Sequence, residues 1–354
     1  SVAVCVVISG CATVRHALPL GMSEMATIEG MDDIRAASGA PSAFMVKDFV
    51  GLLAKEEHRN PFFFQTEKTF TVLAISGGGS NGAYGAGLLS GWSKEGTRPE
   101  FKIVTGISTG AIIAPFAFLG SEYDERLKDF YTKYSTKDLL RKKSFVTALL
   151  GNSLVNNSPL AGLIDKNFDA ALLRRIAAEY DKGRRLYVGT TNLDEQKLMI
   201  WDMGKIASRG DDEALRLFRK IILASAAIPV AFPPVYFDVE ADGKKYDEMH
   251  VDGGITKQVF FLYDVVRGLD RAARERGVDA SKMKYKIYII RNGYAEATWK
   301  QIPDKLAAIS ERTIDTMTNA QGVGDLYQLY MFAKEGNGDF NLAYIPPTHV
   351  PANK

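Results

Sequence analysis

The chain has 354 residues, 46% of them hydrophobic and 24% charged, with a formal net charge of +2. That composition belongs to a folded globular protein with enough chain for one large core or two modest ones. A balance this near neutral, with no dense lysine/arginine stripe, excludes the field-driven nucleic-acid binders.

Residues 1–10 are uncharged and mostly apolar, but a bilayer crossing needs about 20 residues. They read as the remnant of a signal-peptide core. The run Ile8-Ser9-Gly10-Cys11 resembles a bacterial lipobox. That resemblance implies loss of Cys5 and lipidation of Cys11, which would anchor the mature chain to the bacterial envelope. Ala12 rather than Asp after the cysteine favours the outer membrane. An ordinary secretory signal and a frayed apolar terminus are the alternatives.

Residues 11–67 show no sharp period and are broken by Gly21, Gly30 and Gly39-Ala40-Pro41, which predicts a tether with short helices. The apolar patch Pro61–Phe64 is expected to pack on the main domain. A catalytic domain over 68–295 opens with the β-branched run Phe70–Ile75, a buried strand. A small-residue helix follows over Gly82–Trp92, a second strand over Phe101–Thr105 and a second helix over Ser108–Leu119, kinked at Pro115. Arg141-Lys142-Lys143 reads as a solvated helix end. Later strands are expected at Arg185–Thr190, Leu198–Trp201 and Tyr285–Ile290. Helices are expected at Tyr123–Tyr134, Asp165–Tyr180, Asp211–Ala226, Val259–Arg276 and Lys305–Lys334. A helical extension over 296–354 completes the chain. The strand–helix alternation predicts an α/β fold with a mostly parallel sheet and helices on both faces.

Two glycine-rich turns carry the chemistry. The first, Ser76-Gly77-Gly78-Gly79-Ser80-Asn81-Gly82, follows the first strand. Its Gly77, Gly79 and Gly82 spell G-x-G-x-x-G, but the next strand ends at Thr105-Gly106 without the acid that would hold a ribose. Gly82 is followed by Ala83, so it is not a phosphate loop either. Backbone amides with no side chains in the way suit an oxyanion instead. The second turn, Gly106-Ile107-Ser108-Thr109-Gly110, has the G-x-S-x-G form of a nucleophile elbow, with a strand before it and a helix after. Ser108 is the candidate nucleophile.

A serine needs a base, and the chain has four histidines, His16, His58, His250 and His349. The order Ser108, Asp252, His349 would fit a hydrolase triad, but a chain terminus is a poor place for a rigid base. His250 lies too close to Asp252 in sequence for triad geometry. The remaining candidate base is Asp252 itself, in the turn Asp252-Gly253-Gly254.

These three motifs, in this order, and the segment Ala224-Ser225-Ala226-Ala227-Ile228-Pro229 running to Phe232-Pro233-Pro234, resemble the patatin-like phospholipase family. The resemblance covers roughly Thr71 to Ile255. It implies a three-layer α/β/α sandwich and a Ser108–Asp252 dyad that works without histidine. The oxyanion hole would be made by Gly77, Gly78 and Gly79, with Gly82, Gly106, Gly110, Gly253 and Gly254 shaping the turns. It implies membrane lipid as substrate, hydrolysed in the manner of a phospholipase A or lysophospholipase. No cofactor or metal enters the scheme. One departure stands out: the family commonly carries Arg or Lys where this chain has Asn81, and Lys102 or Arg141 are candidates to compensate. Phe62–Phe64, Phe145–Leu154 and Phe260–Tyr263 are candidate lipid-contacting segments. The competing functions are a triad esterase using His349 on soluble esters and a non-catalytic lipid-binding envelope protein.

Overall fold

The computed structural model describes residues 15–39, 42–59, 68–134, 141–142, 155–156, 158–263, 265–267, 271, 283–336 and 338–348. Cys5, Cys11, Phe62–Phe64, Phe145–Leu154 and His349 lie outside the described residues. In chain order the elements are β1 (Arg35–Ala37), α1 (Ala43–Arg59), β2 (Lys68–Ile75), α2 (Gly82–Glu95), β3 (Ile103–Ile107), α3 (Thr109–Leu119) and α4 (Asp124–Thr132). A two-stranded piece follows, β4 (Arg141–Lys142) with β5 (Val155–Asn156), and then α5 (Ser158–Asn167) and α6 (Ala170–Asp181). The chain continues through β6 (Arg185–Asn192), β7 (Lys197–Asp202), α7 (Met203–Arg209), α8 (Asp212–Ser225), β8 (Val235–Ala241) and β9 (Lys244–Asp252). β10 (Met283–Arg291), α9 (Leu306–Glu335) and β11 (Asp339–Tyr344) close it.

The sheet runs β1-β7-β6-β3-β2-β10-β11, and its five strands from β6 to β11 are mutually parallel. Parallel strands must be covered on both faces, and here they are. Leu73, Ile75, Val104, Leu186 and Val188 point into one core, built with α2 to α8. Val72, Ala74, Ile103, Ile107 and Tyr187 point into the other, built with α1, Val259–Val266 and α9. Strand alternation thus divides the apolar side chains between two layers, giving the expected α/β/α sandwich.

Several expectations change. Much of the predicted tether is fold: β1 pairs antiparallel with β7, and α1 places Met45 in the second core. Arg15 binds Asp247 at 2.7 Å and Asp194 at 2.8 Å, and buried Arg35 pairs with buried Glu248. The helix predicted over Asp165–Tyr180 is two helices, because the Asp169 carboxylate accepts the Leu172 amide and starts α6 afresh. Val259–Leu262 is not helix; helix begins at Tyr263. Phe260, Phe261 and Leu262 are buried, so they form core rather than a lipid-contacting surface. Arg141 and Lys142 form strand rather than a helix end. The C-terminal extension is not only helical, since β11 is the sheet's edge strand beside β10.

Candidate active site

β6 brings the two candidate residues together. It pairs with β3 up to Ile107 opposite Gly189, and from the next residue its partner is β9, with Asp252 opposite Thr190. β3 runs parallel to β6 and β9 antiparallel, so their ends meet on one edge of the same strand. Residues 144 positions apart in sequence therefore become neighbours. The Ser108 hydroxyl donates to Asp252 Oδ2 at 2.6 Å, and both residues are 5% exposed.

Ser108 sits between β3 and α3 with φ 55 and ψ −122, a backbone conformation costly for a side-chain-bearing residue. The turn closes because Gly106 and Gly110 leave room: a Cβ on Gly106 would lie 2.3 Å from the Gly110 carbonyl oxygen. The strained amide is held from the side, since Ser108 N–H donates to Ser225 Oγ at 2.9 Å and Ser225 donates to the Gly189 carbonyl at 2.7 Å. Behind the serine, α3 is apolar all round and almost wholly buried, which fixes its N-terminus toward the site.

Asp252 accepts the Gly254 amide on its other oxygen, Oδ1, at 2.7 Å. Gly253 packs on the Gly189 carbonyl and Gly254 on the Gln258 side chain. Burial pushes the Asp252 carboxyl up to about 6, against the opposing pull of the Ser108 and Gly254 hydrogen bonds. A carboxylate raised that far by burial is suited to taking a proton near neutral pH.

The glycine turn lies against the serine, with the Cβ position of Gly77 3.2 Å from Ser108 Cβ. The three expected donors are not equivalent. Gly77 N–H is given to the Gln258 carbonyl at 3.1 Å, so Gly77 is removed from the expected oxyanion donors. Gly78 and Gly79 are exposed, with φ 156 and 55, and their amides have no hydrogen-bond partner among the described residues. Gly78 admits no side chain, because a Cβ there would lie 1.8 Å from the Asn292 carbonyl oxygen. Gly82 packs on Thr109 and Tyr131.

Asn292, which sequence reasoning missed, fixes both ends of this turn. Its Nδ2 donates to the Ser76 carbonyl at 2.9 Å and its Oδ1 accepts the Gly85 amide at 3.0 Å. Asn81 is half-buried and makes no side-chain cap bond to α2. Lys102 does not stand in for a basic residue there. It precedes β3 at the end away from Ser108, six residues back, or roughly 20 Å at ~3.3 Å per residue.

His250 belongs to a different network. Its Nε2 lies 3.1 Å from Glu248 Oε2 and its Nδ1 2.8 Å from Thr190 Oγ1, which also accepts Trp201 Nε1–H. One tautomer fits: Thr190 donates to Nδ1, and Nε2–H donates to the carboxylate. Burial holds this imidazole below the ordinary histidine range. His16 packs on the Tyr246 ring. Neither histidine hydrogen-bonds Ser108 or Asp252.

Three likenesses accompany this geometry. A solved structure of VipD from Legionella pneumophila aligns with 70% of this chain and 53% of its own, at 15% identity and a TM-score of 0.38. Patatin-like protein 2 of Oryza sativa, in both the indica and japonica subspecies, is 24% identical over 209 residues, 53% of this chain. The chain spans about half the length of these curated relatives, 50%. The family profile described as patatin-like phospholipase matches residues 73–263, which is more than half of the chain and holds the serine elbow, the Asp-Gly-Gly turn and the strand that joins them. The chain belongs to the patatin-like phospholipase family.

Proposed function

We propose that this protein is a serine acyl hydrolase of lipid esters, with Ser108 as nucleophile, Asp252 as its base and the Gly78 and Gly79 amides as oxyanion donors. The observation that carries the reading is the 2.6 Å hydrogen bond from Ser108 to a buried carboxylate at a strained strand-to-helix elbow. Family membership supports a fatty-acyl ester as the substrate class.

In the reaction, Ser108 Oγ attacks the ester carbonyl carbon while its proton passes to Asp252 Oδ2. The carbonyl oxygen gains the negative charge and is held by the two glycine amides; removing one such donor typically costs about 2.7–4 kcal/mol. The tetrahedral intermediate collapses, Asp252 returns the proton to the leaving alcohol or lysolipid oxygen, and an acyl-serine remains. Water then attacks that ester, Asp252 takes its proton, and fatty acid leaves as Ser108 is reprotonated. We place the enzyme on a bacterial envelope membrane, tethered through Cys11, where it meets phospholipid or lysophospholipid directly.

The test is a lipid-hydrolysis panel with products identified by mass, run beside active-site labelling with a fluorophosphonate. Wild type releases fatty acid and is labelled at Ser108, and Ser108→Ala does neither. Labelling at a different serine overturns the assignment.

A further inference from the structure

Gln258 touches both halves of the site. Its carbonyl accepts Gly77 N–H of the glycine turn at 3.1 Å, and its Nε2 donates to the Gly254 carbonyl at 2.9 Å. Gly254 in turn donates its amide to Asp252 Oδ1. Gln258 Oε1 lies 3.1 Å from the Cβ position of Gly77, so main chain and side chain both bear on the two turns. Among the described residues, Gln258 alone is hydrogen-bonded to both Gly77 and Gly254, through its carbonyl to the first and its side chain to the second.

Gln258 is itself held from outside the catalytic motifs. Asp325, buried on α9, accepts the Gln258 amide on Oδ2 at 2.7 Å. Its Oδ1 accepts Lys257 Nζ at 2.9 Å, and Lys257 also reaches Gln328 Oε1 at 2.7 Å. The loop 257–259 is thus fastened to the C-terminal helix on one side and to two reacting turns on the other. Asp325 lies more than sixty residues beyond the 73–263 stretch that the family profile matches.

We infer that Gln258, fastened by Asp325, is the positioning residue that sets the separation between the oxyanion turn and the Asp252 turn. The inference rests on the Ser108–Asp252 reading. Neither residue touches the reacting atoms. Their effect is through distance: the glycine amides must meet the oxygen that becomes charged while Asp252 stays within hydrogen-bond reach of Ser108. A misplacement of about 1 Å in such a constellation can cost about 10²-fold in rate. A hydrophobic loop with the same burial would hold the chain in place, but it would not tie these two turns to each other.

Two variants of the full chain test this. Gln258→Ala removes the bridge to Gly254. Asp325→Asn keeps the shape but offers one acceptor and one donor where two acceptors faced the Gln258 amide and the Lys257 ammonium. The readouts are kcat and KM on a soluble ester, the rate of Ser108 labelling by fluorophosphonate, and amide hydrogen exchange in peptides spanning 76–82 and 252–259. Both variants should lose at least tenfold in kcat and in labelling rate with KM within about threefold, and exchange should quicken in both turns together. Unchanged rates with unchanged exchange overturn the inference, and so does quickening confined to one turn. If Asp325→Asn does not fold, Gln258→Ala decides. If wild type itself is not labelled, the serine hydrolase reading fails, and the exchange result still judges the bridge.

Discussion

Ser225 accepts the amide hydrogen of Ser108 at 2.9 Å and passes its own hydroxyl hydrogen to the Gly189 carbonyl at 2.7 Å. One buried hydroxyl therefore satisfies two buried backbone groups and holds the strained elbow against β6. Ser225→Ala leaves both groups unpaired, at about 1–3 kcal/mol each. The expected outcome is a folded protein with a clearly lower denaturant midpoint and turnover reduced at least tenfold. A midpoint equal to wild type would show that water or a shifted backbone replaces the hydroxyl without penalty.

Asp252 must be ionised to take the serine proton, and burial raises its carboxyl to about 6. Turnover should therefore fall as pH drops through about 6, as a single acid limb. Asp252→Asn should fold and lose at least about 10³-fold in kcat, with any residue of activity showing no such limb. His349→Ala should stay within a few fold of wild type. A histidine variant as inactive as Ser108→Ala would replace the dyad with a triad.

The same raised value has an opposite sign for stability. Asp252 titrates higher in the fold than its ordinary 3.8, so between 3.8 and about 6 the folded state holds more protons than the unfolded state. Stability contributed by this group is present below that window and is lost as pH rises through it. Asp252→Asn should therefore raise Tm at pH 7.5, by a free energy on the order of 1–3 kcal/mol, with the gain vanishing near pH 4. Calorimetry at the two pH values checks this; an equal difference at both would separate the mutation's effect from ionisation.

Gly78 and Gly79 make a contrasting pair. A Cβ on Gly78 would lie 1.8 Å from the Asn292 carbonyl oxygen, whereas one on Gly79 meets nothing within 4 Å. Gly78→Ala should displace the turn and cost about 10²-fold or more in kcat. Gly79→Ala bears only the left-handed backbone penalty of about 1–2 kcal/mol and should keep most turnover. Matched kcat and Tm measurements on both decide it. Equal losses would mean that the turn tolerates no side chain at either position.

Membrane tethering makes a separate prediction. Full-length precursor expressed in a bacterial host should partition into the membrane fraction and incorporate labelled palmitate, and Cys11→Ser should lose both. Equal label and equal partition in Cys11→Ser would remove the lipid anchor from the proposal and leave the chemistry untouched.

Much of this site was legible because its signals are local. A strand, a glycine turn and a small-residue helix are contiguous in Phe70–Trp92 and again in Phe101–Leu119, and both segments fold as strand, turn and helix. The β8–β9 hairpin also carries a local signal. Val235–Ala241 alternates buried and exposed residues, and Asp242-Gly243 adopts φ 50 and 68, the two-residue turn that favours Asp-Gly. Other features had no local signal. Val259–Leu262 reads as a helix start, yet the Thr105 hydroxyl takes the Phe260 carbonyl and Asp325 takes the Gln258 amide. The loop's conformation is decided by partners 155 and 67 residues away. Asn292 holds Ser76 across 216 residues. The consumption of the Gly77 amide by Gln258 belongs to the same class, since only the fold brings its acceptor near.

β10 lies beyond the profile-matched stretch, yet it is the neighbour of β2 through eight paired residues, Met283–Ile290 against Lys68–Ile75. A fragment trimmed to residues 73–263 would carry every motif and still begin in the middle of β2. The three residues of that strand left in the fragment, Leu73, Ala74 and Ile75, would lose the β10 partner that covers them, leaving an unpaired apolar edge of the kind that recruits other chains. The glycine turn would also lose Asn292. The family profile spans the reacting segment, and what must fold cooperatively is larger. Such a fragment should be recovered as aggregate, and a boundary drawn for expression, grafting or directed evolution belongs after β11.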